Sequence, residues 1–214
     1  MRDIPDIRGL RFPDTYVVRH FFKAGLHRRR GKVLELGSGT GNNLMLYQAY
    51  GWQVTGVDYD AAALEDARWN LEGQGRMVQA DLAKGLPELG ETYDVLLAPN
   101  VINYLDSAAA RAVLTQARAV TAPGAPVFVS ARLVDDYRYG RGRQVEEHGF
   151  ILDTPETGEA GLLNRFYTAD ALIELLVGAL GLTGHEALSQ RFDNIQGGVK
   201  VCGNSDLIVW GQAG

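Results

Sequence analysis

Cysteine is nearly absent: of 214 residues only Cys202 carries a thiol, which rules out a disulfide framework and a cysteine-rich metal site. Histidine is scarce as well, with four, and no cluster of His, Cys and carboxylate has ligand spacing, so no metal is expected. The chain lacks an apolar run of the roughly 18 residues that a membrane span needs. Charged residues stand where a signal peptide would place its apolar core. These absences together suggest a cytoplasmic protein that does not engage a membrane. A strong charge of one sign is missing too, with 21 Lys and Arg against 26 Asp and Glu for a net charge of −5, which argues against nucleic acid as the partner. The one basic run, Arg28-Arg29-Arg30, reads as a solvated helix end. Neither internal repeats nor low-complexity segments interrupt the chain. Its length fits one domain over 1–214, with a helical cap over 1–31 and a flap over 132–165.

What the chain does have is glycine in an informative place. Val33-Leu34-Glu35-Leu36 is a short apolar run, β-branched at its start, as expected of a central strand buried on both faces. It breaks into Gly37-Ser38-Gly39-Thr40-Gly41 and then into a helix pattern whose apolar face is Leu44, Leu46 and Tyr47. Glycines suit that turn because they reach left-handed backbone angles and let a ligand approach the main chain. Asn42 or Asn43 is expected to cap the helix. A nicotinamide fingerprint would place its third glycine three positions after the second; that position is Asn42.

Short apolar runs then alternate with longer amphipathic ones, the pattern of an α/β fold with a mostly parallel sheet. Strands are expected at Lys32 to Leu36, Gln53 to Asp58, Arg76 to Asp81, Tyr93 to Ala98 and Ala125 to Ser130, with helices at Asn42 to Tyr50, Ala61 to Asn70 and Ser107 to Val120, the last capped by Ser107. A helix from near Thr168 precedes two last strands, His185 to Arg191 and Asp206 to Gln212. The glycine-rich, aperiodic stretch Asp193 to Asn204 between them implies an antiparallel hairpin. Pro13 to Leu26, with Tyr16, Val17, His20 and Phe21 at helical spacing, predicts a helix over one end of the sheet. Arg132 to Arg165 fits no layer; Tyr137, Tyr139, Phe150, Ile151 and Leu152 make it too apolar for a linker, so an ordered flap with a short strand near Phe150 is expected.

On these motifs the chain from Lys32 to Gln212 resembles the class I S-adenosylmethionine-dependent methyltransferases. The resemblance implies a doubly wound, mostly parallel seven-stranded Rossmann-like sheet with a C-terminal antiparallel hairpin, and S-adenosyl-L-methionine as cofactor. Glu35-Leu36-Gly37-Ser38-Gly39-Thr40-Gly41 matches the family's acidic glycine motif, which wraps the methionine portion, with Asn43 alongside. Val54-Thr55-Gly56-Val57-Asp58 matches the second strand, whose terminal carboxylate, followed by Tyr59, takes the ribose hydroxyls. Asp81 and the Leu82 backbone match the adenine contacts, and Tyr93 to Leu105, with Ala98-Pro99-Asn100-Val101 at its turn, matches the post-strand segment facing the methyl donor. Base-methylating enzymes place Asp or Asn, Pro, Pro and an aromatic there, so this segment departs from their pattern.

Methyl transfer from a sulfonium mainly demands alignment, and a general base is needed only where the acceptor must lose a proton. His148 in the flap and Tyr104 after the fourth strand are the catalytic candidates. Tyr16 and Arg19 on the first helix, Asn103, and the flap residues Tyr137, Tyr139, Arg143, Arg165 and Tyr167 are the candidates for substrate contact. The expected partner is a small polar acceptor methylated on oxygen or nitrogen, for a monomer or homodimer. The alternatives are a nucleic-acid or protein methyltransferase and a regulator that binds the cofactor without turnover.

Overall fold

Seven strands share one sheet in the order β3-β2-β1-β4-β5-β10-β9 in the computed structural model, which describes residues 3–153, 155, 158–196 and 198–214. Thr154, Glu156 and Thr157 of the expected flap and Gly197 of the expected loop lie outside the described residues. The parallel strands are β1 (Lys32–Leu36), β2 (Gln53–Asp58), β3 (Arg76–Gln79), β4 (Val95–Pro99) and β5 (Pro126–Arg132). β9 (Thr183–Gln196) and β10 (Val199–Gln212) form an antiparallel hairpin, and β10 closes antiparallel onto β5. This is the doubly wound, mostly parallel sheet with a terminal hairpin that the sequence implies.

Side chains alternate across the sheet with period two, and that alternation builds a core on each face. Val33, Val95, Leu97, Phe128 and Ile208 point to the face covered by α1 (Thr15–Lys23), α2 (Asn42–Ala49) and α3 (Ala61–Asn70). Leu34, Leu36, Leu96, Val127 and Val209 point to the face covered by α4 (Ser107–Ala119) and α5 (Ala169–Leu180). Strand order reverses between β1 and β4, so a crevice opens beyond their C-terminal ends, where open α/β sheets bind ligands.

Several boundaries differ from expectation for local reasons. β3 stops at Gln79 because Asp81 turns to accept the Ala83 amide at 3.0 Å. β4 begins at Val95, Tyr93 making only an isolated bridge to Thr121. β5 runs on to Arg132 because β10 pairs with it along Pro126–Arg132. α4 is capped by Asp106, whose carboxylate accepts the Ala109 amide at 2.8 Å, and the Ser107 hydroxyl donates to Glu146. Asp193 to Asn204 is strand rather than loop: the hairpin runs to its tip, with a register shift between Val201 and Asn204 where Gly203 adopts φ +86°. A bulge absorbs the glycine without ending the ladder.

The segment after β5 folds as a small antiparallel sheet in the order β6-β7-β8, made of β6 (Arg143–Glu146), β7 (Gly149–Ile151) and β8 (Leu163–Arg165). Phe150, Leu152 and Phe166 form a core of its own. No helix among the described residues is long and apolar enough to cross a membrane.

Candidate functional site

The turn after β1 is held by the neighbouring strand: the Gly37 and Ser38 amides both donate to the Val57 carbonyl, at 2.8 and 3.2 Å. Gly37, Gly39 and Gly41 all have positive φ, at +68°, +49° and +77°, the region glycine enters without steric cost. Asp58, at the end of β2, spans the turn, its two carboxylate oxygens accepting the Gly39 amide at 2.8 Å and the Asp60 amide at 3.0 Å. The carboxylate predicted to take the sugar therefore also fixes the loop that cradles the rest of the ligand.

α2 begins without a side-chain cap, because Gly41 occupies the cap position. The expected capping role of Asn42 or Asn43 gives way to another. Asn43 lies buried, donates to Glu35 Oε1 at 2.7 Å and accepts the Asp14 amide at 2.8 Å. It thereby ties the end of β1 to the start of α1 and leaves the first-turn amides of α2 available to an anionic group.

Glu35 is 1% exposed, and its second oxygen, Oε2, has no hydrogen-bond partner. Burial is the main cause that pushes its carboxyl up to about 8; the Asn43 amide opposes the shift and the charges of Asp58 and Asp14 add to it. An unpartnered carboxyl oxygen beside uncapped helix amides suits a group that carries an ammonium and a carboxylate together. The amino-acid end of S-adenosylmethionine is such a group, and the residues present fit it.

The crevice has two joined halves. One, a cavity of about 650 Å³, is lined by Asp58, Tyr59, Asp81, Leu82 and Tyr104, with Glu159 and Leu162 of the flap segment on its outer wall. The other, about 570 Å³, is lined by Glu35, Ser38, Gly39, Asn43, Phe12 and Asp14. Gly37, Pro99 and Asn100 belong to both. All the cofactor candidates read from the sequence thus gather around one crevice except Gly41, which sits behind it against Ala67 and Leu71.

A third cavity of about 310 Å³ meets the second half at Asp14 and Asn100 and is lined further by Tyr16, Ser130, Gln190, Phe192 and Asp206. Asn100 lines all three cavities. It holds φ +54°, donates its amide to the Ser130 carbonyl at 3.0 Å, and accepts the Ser130 hydroxyl at 3.1 Å. Asn100 is thus a non-glycine residue held in the left-handed region at the meeting point of three cavities, a conformation that asparagine adopts more readily than most side chains.

The other candidates are dispersed. His148 is at the β6–β7 turn with φ +59°, its Nδ1 2.8 Å from the Tyr139 hydroxyl, and lines none of the three cavities. Tyr139 packs on Phe150 and Phe166 within the flap core. Tyr137 lies under the guanidinium groups of Arg138 and Arg141. Arg143 is exposed on β6, and Arg165 pairs with Glu146 at 2.7 Å and covers the Tyr167 ring. Arg19 is exposed beside the Trp210 ring. Asn103 is fully buried and structural, accepting the Arg132 amide at 2.9 Å and donating to the Asn100 carbonyl at 3.3 Å. Of the substrate candidates only Tyr16 reaches the third cavity. The flap stands over the half lined by Asp58 and Asp81 instead, because β8 packs on the turn at Ile102–Tyr104.

Tyr104 donates to Glu159 at 2.6 Å, and Glu159 also pairs with Arg132 at 2.6 Å and Arg138 at 3.1 Å. Burial raises the phenol above its ordinary value, so it stays protonated and serves as a strut. Tyr104→Phe is expected to leave turnover within about fivefold of wild type and to lower the melting temperature by roughly 2–4 °C, the loss of about one hydrogen bond in a chain this size. A fall in turnover of roughly a hundredfold or more, measured beside that melt, would make the hydroxyl catalytic.

A glycine cradle at a topological switch point, with carboxylates at the next two strand ends, is the arrangement of a nucleotide-cofactor site in an α/β/α fold. The methyltransferase-domain family model matches residues 33–124. The trans-aconitate 2-methyltransferase of Paracidovorax citrulli (strain AAC00-1) is 43% identical over 68 residues, a stretch that spans 31% of this chain and 26% of that protein. Among solved structures, a methyltransferase of Methanosarcina mazei aligns with TM-score 0.64 at 17% identity, covering 85% of this chain and 92% of its own. The 1,6-didemethyltoxoflavin-N1-methyltransferase of Burkholderia thailandensis, solved with its substrate and S-adenosylhomocysteine, aligns with TM-score 0.62 at 21% identity, covering 92% and 76%. Residues 33–124 therefore match a methyltransferase domain, and the chain shares the fold of solved S-adenosylmethionine-dependent methyltransferases.

Proposed function

We propose that this protein transfers a methyl group to the nitrogen or oxygen of a small polar metabolite by in-line displacement. The observation that carries the reading is the third cavity: about 310 Å³, meeting the methionine half at Asp14 and Asn100, at the low end of small-molecule sites. Bound S-adenosylmethionine supplies a methyl group already activated by the positive charge on its sulfur. The chain's own work is placement. Asp58 and Asp81 are positioned for the adenosine half, the 37–41 turn and Glu35 for the amino-acid half, and Asn100 marks the point where donor and acceptor meet.

Titration calorimetry with S-adenosylhomocysteine tests the cofactor half of the reading. Asp58→Ala is expected to weaken binding about tenfold, a loss of about 1.4 kcal/mol. Because Asp58 also holds two loop amides, a stability loss of about 1–3 kcal/mol is expected alongside. Labelled methyl donor supplied with a metabolite extract, a protein extract or RNA tests the acceptor half. Label in the low-molecular-weight fraction supports the proposal, and label confined to a polymer overturns it.

A further inference from the structure

The third cavity has a floor, a roof and a charge. Its floor is the face of β5, β10 and β9 on which period-two spacing places Ser130, Asp206 with Ile208, and Gln190 with Phe192. Its roof is the start of α1, with Asp14 and Tyr16. No lysine or arginine is among the residues that line it. One Asp14 oxygen caps α1 by accepting the Tyr16 amide at 2.7 Å and the Val17 amide at 3.2 Å.

Asp206 differs: among the described residues its carboxylate has no hydrogen-bond or ion-pair partner. The cations nearest in effect, Arg132 and Arg138, are committed elsewhere, Arg132 to Glu159 and Asn164, Arg138 to Asp136 at 2.7 Å and Glu159 at 3.1 Å. The other charged groups acting on Asp206 are the carboxylates of Asp136 and Asp14, which make its own charge harder to hold. Two aromatic rings, Tyr16 and Phe192, complete the walls. Aromatic faces with an uncompensated carboxylate form a receptor for a cation and repel an anion.

We propose that the acceptor is an amine that arrives as an ammonium, and that Asp206 binds it and takes its proton. This rests on the reading of the crevice as a methyl-transfer site. An ammonium nitrogen has no lone pair to give. Proton transfer to the Asp206 carboxylate leaves a neutral amine and a carboxylic acid. The freed pair forms the new N–C bond as the methyl carbon's bond to sulfur breaks, with that bond's electrons remaining on the sulfur. The methylated ammonium leaves, and the Asp206 proton passes to solvent. Burial, the main cause, pushes the Asp206 carboxyl up to about 6, so it is ionised at neutral pH and basic enough to accept a proton as the nitrogen reacts.

The test uses the full chain saturated with S-adenosylhomocysteine and two probes of like size, phenethylammonium and phenylacetate, followed by ligand-observed NMR at millimolar concentration. The ammonium is expected to bind at least about tenfold tighter than the carboxylate. That preference should vanish in Asp206→Asn and fade below pH about 6 as the wild-type carboxyl protonates. S-adenosylhomocysteine affinity should stay within about twofold in the variant, which also shows that it has folded; Asp206→Glu should restore the preference. Equal or tighter binding of phenylacetate, no binding of phenethylammonium, or an unchanged preference in Asp206→Asn each overturns the proposal. Failure of the wild type to bind S-adenosylhomocysteine would instead overturn the reading of the crevice.

Discussion

Gly39→Val is expected to reduce the affinity for S-adenosylhomocysteine by roughly a hundredfold or more, about 3 kcal/mol, while the protein remains folded. The Gly39 backbone lies at φ +49°, and a Cβ built there meets no atom within 4 Å. The added methyl groups therefore occupy open space in the crevice rather than displacing protein. The left-handed conformation costs a β-branched residue roughly 1–2 kcal/mol, which in a chain of this size lowers the melting temperature by roughly 2–8 °C. Gly37 provides the contrast. A Cβ there would sit 2.5 Å from Val101 Cγ2, so Gly37→Ala is an insult to the fold and says little about the ligand. Calorimetry of Gly39→Val beside its thermal melt separates the two effects. Wild-type affinity in a folded Gly39→Val protein would remove the 37–41 main chain from the cofactor cradle.

The convergence of the proposed cofactor residues on one crevice is legible in the sequence because its information is local. The turn Gly37 to Gly41, Asp58 and Asp81 each stand at the end of an apolar run, and a parallel sheet brings the C-terminal ends of its strands to one edge. Once the strands are recognised, the residues that follow them converge without further knowledge of tertiary structure. The same logic makes the hairpin legible, since the linker between the last two strands has no helical period to carry a crossover.

The proposed acceptor half is another matter, because its walls come from segments far apart in sequence. Asp14 announces itself as a helix cap after Pro13, but nothing local says that it faces a cavity. Asp206 offers a fainter signal: a carboxylate at the head of Asp206-Leu207-Ile208-Val209-Trp210, where a strand paired on both sides buries its residues. Gln190, Phe192 and Ser130 become its neighbours only through the register of β9, β10 and β5. The flap misleads for the opposite reason. Its tyrosines and arginines resemble a recognition surface, yet a three-stranded unit of this size needs them for its own core and ion pairs. Glu159 and Leu162, flap residues that do line the crevice, stand in a stretch with no periodic pattern to call attention to them.

Glu35 makes the crevice measurable through pH. Its carboxyl is raised from an ordinary value to about 8 in the folded protein; the native state therefore binds a proton that the unfolded chain has released. Stability contributed by that proton is full at low pH and is lost as pH rises toward and through 8. Two other buried groups, Asp206 and His20, titrate close to this range, and both change mostly below pH 7. Asp206, raised to about 6, acts in the same direction as Glu35. His20, lowered to about 4 by burial first and then by the Arg29 charge, acts in the opposite one, adding stability as pH rises to its unfolded value of about 6.5. Between pH about 6.5 and 8 the slope assigned to these groups is mainly that of Glu35, with the tail of His20 opposing it and that of Asp206 adding a little. The ligand-free protein is expected to lose on the order of 1–2 kcal/mol over that interval, read from denaturant melts, and Glu35→Gln should flatten the dependence. The cofactor's ammonium opposite Oε2 would favour the ionised carboxylate, so binding at pH 7 should release a proton from the wild type and none from Glu35→Gln. Calorimetry in buffers of unequal ionisation enthalpy reports that proton directly. Equal proton release by both proteins would show that Glu35 keeps its charge state on binding, and that the amino-acid end of the ligand is held by the α2 amides without it.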